Sequence, residues 1–229
     1  MHTLDLVAQT TQELVASGLK LPVMEGFYTI QGEGRFTGHP AYFIRLGGCD
    51  VGCVWCDVKD SWDADKHPKY SVEEIVAKLK EETNSQSDSY RIQNSNLPIV
   101  VITGGEPLMH HLDVLTKAIH AAGYQTNIET SGSSPLSGEW DWICLSPKKF
   151  KAPLPEVVPH ANELKVVVFN KSDFAWAETY AAEVSPNCKL YLQPEWDKAA
   201  QVTPLIIDYI KANPQWELSL QVHKYINVP

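Results

Sequence analysis

The chain has 229 residues, enough for one substantial core, and its 44% hydrophobic and 21% charged content is that of an ordinary soluble globular protein. A formal charge of −9 argues against a nucleic-acid groove, which demands clustered Lys and Arg. No apolar run reaches membrane-spanning length, and Met1–Leu6 carries Asp5 without a basic region before an apolar core, so neither a membrane segment nor a signal peptide is expected and the setting reads as cytoplasmic and reducing.

In chain order, residues 1–22 read as an N-terminal extension, an amphipathic helix or loose segment with Leu4, Val7, Leu14 and Val15, ended by Pro22; residues 23–229 read as one core domain. Val23–Ile30 favours a strand. Gln31-Gly32-Glu33-Gly34 then makes a turn where backbone can approach a ligand closely, although a plain strand connection would use the same residues. Ala41–Leu46 is the next strand. Arg45 at its edge suits a fork onto a carboxylate, with a surface ion pair as the competing reading.

Residues 57–70 read as a loop. Ser71 and Glu74 form a capping box, and Val72, Ile75, Val76 and Leu79 give the apolar stripe of a helix. The polar stretch 84–96 reads as a surface loop. Pro98–Ile102 is the continuous apolar run of a parallel strand buried on both faces, followed by Thr103-Gly104-Gly105-Glu106-Pro107 and a helix carrying Leu112, Leu115, Ile119 and Ala122 up to Gly123. Strands at 125–128, 142–145, 164–169, 190–192 and 216–220, with helices after the third and fourth of these, bring the total to about six β–α units. The expectation is an α/β fold, a parallel sheet closed or partly closed into a barrel, with the polar segments after its strands gathered at one rim.

Three cysteines within eight positions, Cys49, Cys53 and Cys56, are spaced C-x3-C-x2-C directly after an apolar strand. Thiolates packed so closely repel unless a metal neutralises them. Three sulfur ligands can hold three corners of a cubane [4Fe–4S] cluster and leave one iron open. A zinc site would need a fourth ligand, for which His39 or His67 are local candidates. Cys144 and Cys188, isolated in apolar segments, read as core thiols.

With Trp55 before the last cysteine, this loop resembles the cluster loop of the radical S-adenosylmethionine (radical SAM) superfamily, and Gly104-Gly105-Glu106-Pro107 looks like its methionine-binding turn. The resemblance implies an incomplete (β/α) barrel in which SAM chelates the open iron and is cleaved to a deoxyadenosyl radical. It is closest to one branch over Met24–Pro229, through Gly26–Gly34, Ile128-Glu129-Thr130, Ser146-Pro147-Lys148, Asn162–Lys165, Gln193-Pro194 and Gln221–Tyr225.

That branch implies a lyase converting 6-carboxy-5,6,7,8-tetrahydropterin to 7-carboxy-7-deazaguanine with loss of ammonia, on the way to queuosine and other 7-deazapurines. Substrate contacts then fall on Ile30, Gln31, Gly32, Glu33, Arg45, Thr103 and the terminal Pro229. Cofactor contacts fall on Gly104, Gly105, Glu106, Ser146, Pro147, Lys148, Gln193, Pro194, Glu195 and Trp196. A homodimer and an electron donor such as flavodoxin are also implied. One departure concerns magnesium: where the family has a threonine ligand, this chain has Val58, so Mg2+ binding is weak or falls to Asp57, Asp60 or Ser61. The alternatives are another radical SAM enzyme, such as a radical activase, and a non-catalytic zinc-binding module.

Overall fold

The computed structural model describes residues 9–84 and 97–229; residues 1–8 of the expected extension and 85–96 of the expected loop lie outside the described residues. Helix α1, Thr11–Ala16, opens with a capping box between Thr10 and Glu13 and stops at Gly18, whose φ of +74° suits only glycine. Pro22 does not end this helix. It lies inside strand β1, Lys20–Ile30, paired with Lys69. Residues 20–22 therefore belong to the sheet, and Leu21 is fully buried.

Strand β2, Pro40–Leu46, is antiparallel to β1. The expected loop over 57–70 contains short turns and a short strand β3, Lys69–Ser71, which the polar sequence hides because only pairing with β1 makes it a strand. Ser71 caps α2, Val72–Asn84, as expected: its N–H reaches Glu74 Oε2 at 2.7 Å, and the Glu74 N–H reaches its hydroxyl at 3.2 Å. The remaining elements are β4, Ile99–Gly104; α3, Asp113–Ala121; β5, Thr126–Thr130; β6, Trp142–Leu145; β7, Glu163–Val168; α4, Ser172–Ala181; β8, Lys189–Pro194; α5, Ala199–Ala212; β9, Trp216–Leu218; and α6, Val222–Ile226.

The strands form one sheet of nine in the order β3-β1-β2-β4-β5-β6-β7-β8-β9. From β2 onward every pairing is parallel. Edge strands β3 and β9 do not meet among the described residues, so the barrel is incomplete, as the sequence leads one to expect. The connections β5–β6 and β6–β7 lack the α-helix of a full β–α unit.

Alternation along the strands separates core from site. On β2, Tyr42, Ile44 and Leu46 face the core beneath α2 and α3, joined there by Val100 and Ile102 of β4. Their alternates Ala41, Ile99 and Val101 start the concave face, and Phe43, Arg45 and Thr103 carry it on to the cavity wall. A second core cluster packs β6–β9 against α4 and α5 around Trp216. Cys144 is buried on β6 outside that cluster, its thiol donating to Glu163 Oε1 at 3.5 Å, so only Cys188, packed partly buried against the cluster, is a plain core thiol.

Candidate active site

The C-terminal ends of the parallel strands surround a cavity of about 520 Å³. It is lined by the three cysteines and by every substrate and cofactor residue named above except Pro147, and also by Asp57, Val58, Glu129, Lys165, Gln221, His223 and Lys224, but not by His39, Asp60, Ser61 or His67.

The loop after β2 brings Cys49, Cys53 and Cys56 to one end of this cavity as free thiols. Gly48 and Gly52, with φ of +107° and +73°, let the chain coil around them. The turn after β4 locks onto this loop through its backbone: the Gly105 N–H donates to the Leu46 carbonyl at 3.0 Å and the Glu106 N–H to the Gly48 carbonyl at 2.8 Å. A Cβ on Gly105 would lie 2.2 Å from the Gly48 carbonyl oxygen and 2.7 Å from Cys49 Cβ, so only glycine permits this approach.

The donor set suits a cubane: three cysteines of one loop line the same cavity. Each lies within electrostatic reach of another, and burial pushes Cys53 up to about 11 despite the nearby Lys148, so a metal would have to displace its proton. Among the described residues no three His, Cys, Asp or Glu side chains gather as a single ion requires, whereas a cubane binds its thiolates at separate irons, farther apart. His39 and His67 do not complete a zinc set: neither lines the cavity that holds the three thiols.

Through the resemblance Glu106 counts among the cofactor contacts. The structure gives it another task. It is 1% exposed, and both carboxylate oxygens are filled: Oε1 accepts from the Leu108 N–H and Thr130 Oγ1, Oε2 from the Ser131 N–H and Ser131 Oγ. Four donors saturate a carboxylate, leaving nothing for an ammonium. Glu106 thus clasps the ends of β4 and β5 together and leaves the backbone of Gly104 and Gly105 facing the cavity. Glu195 is occupied in a similar way, capping residues 197 and 198.

Arg45 lies on the cavity wall, but its Nε is 2.6 Å from Glu25 Oε1, so the ion-pair reading holds for that nitrogen. Ser146 and Lys148 line the cavity together. The Lys148 ammonium donates to the Ser146 carbonyl and hydroxyl and stands 5.6 Å over the Trp55 ring. Thr103 and Ile30 contribute wall, and Pro229 brings the chain end to the cavity, its carbonyl 3.4 Å from Thr29 Oγ1.

Near Val58, Asp57 forms an ion pair with Lys224 at 2.8 Å, and Ser61 is buried with its hydroxyl donating to the Val58 carbonyl. Lys224 in turn stands 5.1 Å over the Trp196 ring, which meets Tyr225 edge-on. Short helix α6 thereby tethers the chain end to the cysteine loop.

The floor holds groups that sequence reasoning did not assign to the site. Lys165 on β7 bridges Glu33 and Glu129, while Gln31, Gln193 and Gln221 surround these acids. Burial raises the Glu33 carboxyl, but the Lys165 charge and hydrogen bonds from Lys165, Gln221 and Gln193 outweigh it and hold the group at about 2. Glu129 and Lys165 both sit inside segments already quoted for the family resemblance. Their place in those segments was the available signal; nothing local marks either as a cavity residue.

Three comparisons bear on this site. The radical SAM superfamily model matches residues 43–145, the segment from β2 through β6 that carries the cysteines and the glycine turn. The chain is 49% identical to the 7-carboxy-7-deazaguanine synthase of Flavobacterium psychrophilum over 98% of this chain and 100% of that protein. It is 46% identical to that of a Synechocystis species over 90% and 93%, and 37% identical to that of Escherichia coli K12 over 92% and 100%. The crystal structure of QueE from Escherichia coli superposes with a TM-score of 0.76 at 31% identity, covering 95% of this chain and all of that one. Likeness of this extent, over a cavity that gathers the three thiols and the glycine turn, means that the chain belongs to the 7-carboxy-7-deazaguanine synthase family of the radical SAM superfamily.

Proposed function

We propose that this protein converts 6-carboxy-5,6,7,8-tetrahydropterin to 7-carboxy-7-deazaguanine with loss of ammonia, a carbon–nitrogen lyase reaction on the route to queuosine and other 7-deazapurines. The observation that carries this reading is the single cavity that the cysteine loop, the glycine turn and the Gln31–Glu33 turn share with Arg45 and the chain end. When bound, the cluster and SAM supply a carbon radical able to take a hydrogen atom from the substrate.

The chain's own residues hold the partners in place. Cys49, Cys53 and Cys56 ligate the cluster. Backbone groups of Gly104 and Gly105, with Ser146, Lys148 and the Gln193–Trp196 segment, seat SAM. Arg45, through the nitrogens not engaged by Glu25, meets the pterin carboxylate. Thr103, Ile30, Pro229 and the backbone of Gln31 and Gly32 fix the ring. The walls exclude water from the reacting carbon, which confines the radical to its substrate.

Magnesium plays a reduced role in this reading. Val58 has no oxygen to offer, Asp57 is paired with Lys224 through one of its oxygens, and Ser61 is turned toward the Val58 carbonyl. We also infer a cytoplasmic homodimer reduced by a flavodoxin-like donor. Exposed Ile207 and Tyr225, which share a shallow groove, supply apolar surface for a dimer contact. The test is anaerobic cluster reconstitution followed by turnover with the carboxytetrahydropterin, reading ammonia and the deazapurine. Both products support the reading. SAM cleavage without deazapurine, but with a radical placed on a protein, would instead indicate an activase.

A further inference from the structure

The floor of the cavity carries two carboxylates for one cation. The Lys165 ammonium lies 2.5 Å from Glu33 Oε2 and 3.1 Å from Glu129 Oε2, and its side chain is only 4% exposed. The other oxygens are held too: Gln221 Nε2 donates to Glu33 Oε1 and Gln31 Nε2 to Glu129 Oε1, each at 2.9 Å. The Glu33 N–H donates to Gln31 Oε1 at 3.0 Å, so the turn and the floor form one network. An ionised carboxylate has about four acceptor positions, so both acids keep capacity unfilled by these side chains. Both line the cavity, and Glu129 remains 24% exposed.

We propose that Lys165 is a positioning residue: its ammonium fixes Glu33 and Glu129 as a pair of ionised acceptors that grip the N–H-rich edge of an aminopyrimidinone ring. This rests on the pterin reading above and deepens it. The excess negative charge of the floor selects a donor-rich edge and leaves the substrate carboxylate to Arg45, which also lines the cavity. Lys165 acts through the two acids and sets affinity, not the rate of the radical step.

The electrostatics of the floor agree. Burial lowers the affinity of Lys165 for its proton, yet the acidic groups around it, Cys144, Glu129, Glu33 and Glu163, hold its amine well above the ordinary lysine value. Other titratable groups facing the network are Lys148 and His223 on the cavity wall. Cys144 is held as a neutral thiol by burial. Without Lys165, two neighbouring carboxylates cannot both stay ionised in this setting, and one takes up a proton near neutral pH.

The experiment compares anaerobically reconstituted wild type with Lys165→Gln and Lys165→Arg, measuring pterin KM, kcat, SAM dissociation constant and iron content. Lys165→Gln is expected to raise pterin KM about ten- to a hundredfold, with kcat within about threefold of wild type and SAM binding and iron unchanged. Its KM falls as pH rises from about 6 to 8.5, because the shared proton leaves the pair; the wild-type KM stays flat. Lys165→Arg keeps the cation and restores KM to within about threefold.

Unchanged KM in Lys165→Gln would overturn the proposal, as would parallel loss of SAM binding and iron in both variants. Should Lys165→Gln fail to fold, the double variant Lys165→Gln/Glu129→Gln removes the like-charge clash. It is expected to fold and still show the raised KM, and a wild-type KM in it overturns the proposal. Wild type that turns over no pterin at all marks failure of the underlying reading instead, separately from Lys165.

Discussion

At one end of the cavity, Cys49, Cys53 and Cys56 come from a single loop of eight residues whose shape rests on backbone hydrogen bonds to the turn after β4. At the other end, the ionic floor collects Gln31, Glu33, Glu129, Lys165 and Gln221 from four separate segments, joined by contacts spanning up to 188 positions. The cysteine end is local, and its contact with the glycine turn leaves no room for a Cβ at Gly105. The floor is non-local and depends on charge balance. Reaction chemistry and substrate choice therefore rest on different physics, and substitutions should separate them.

The largest effect belongs to the thiols. Cys53→Ser should lose bound iron and lower turnover by at least about a thousandfold, while thermal stability changes little, because the loop lies outside both main core clusters; iron analysis, activity and a melting curve check this. Gly105→Ala comes next. Its Cβ would press 2.2 Å from the Gly48 carbonyl oxygen, and the displaced cysteine loop should cost roughly a hundredfold in SAM cleavage.

Glu106→Gln tests the clasp between β4 and β5. The amide presents two donors of its own to groups that already donate, so stability should fall by about 2 to 3 kcal/mol in denaturant unfolding. The floor should respond to acid. Glu33, held at about 2 when folded, stabilises the protein above the ordinary carboxylate range and loses that contribution as pH falls from about 4.5 toward 2. The loss is on the order of 2 kcal/mol, and Glu33→Gln should abolish this part of the acid transition. The smallest effect concerns magnesium: Val58→Thr should increase Mg2+ stimulation a few-fold, and equal stimulation of both proteins would refute the reduced role assigned to the ion.

The same contrast explains what could be read from the chain before its structure. The cysteine spacing and Thr103–Pro107 were legible because each fits within one loop, and β4 and the Ser71 cap were legible because their signals are local. Strand β3 was not, since Lys69–Ser71 has no apolar alternation and exists through its pairing with β1. Glu106 was misread for the same reason: its donors at Thr130 and Ser131 stand 24 and 25 residues later and meet it only when β4 and β5 align. Arg45 lines the cavity, and its ion pair was hidden because Glu25 reaches it only through the β1–β2 register. Lys165 shows no periodicity that distinguishes it from a solvated lysine; only the parallel order of β5 and β7 puts it between two acids.

The most direct test of the central claim is the metal and product content of the anaerobically reconstituted protein after incubation with SAM, reductant and the carboxytetrahydropterin. The account predicts a brown protein with about four irons per chain that releases ammonia and forms the deazapurine. A colourless protein holding one zinc, or an iron-loaded one that cleaves SAM yet leaves the pterin untouched, would contradict it.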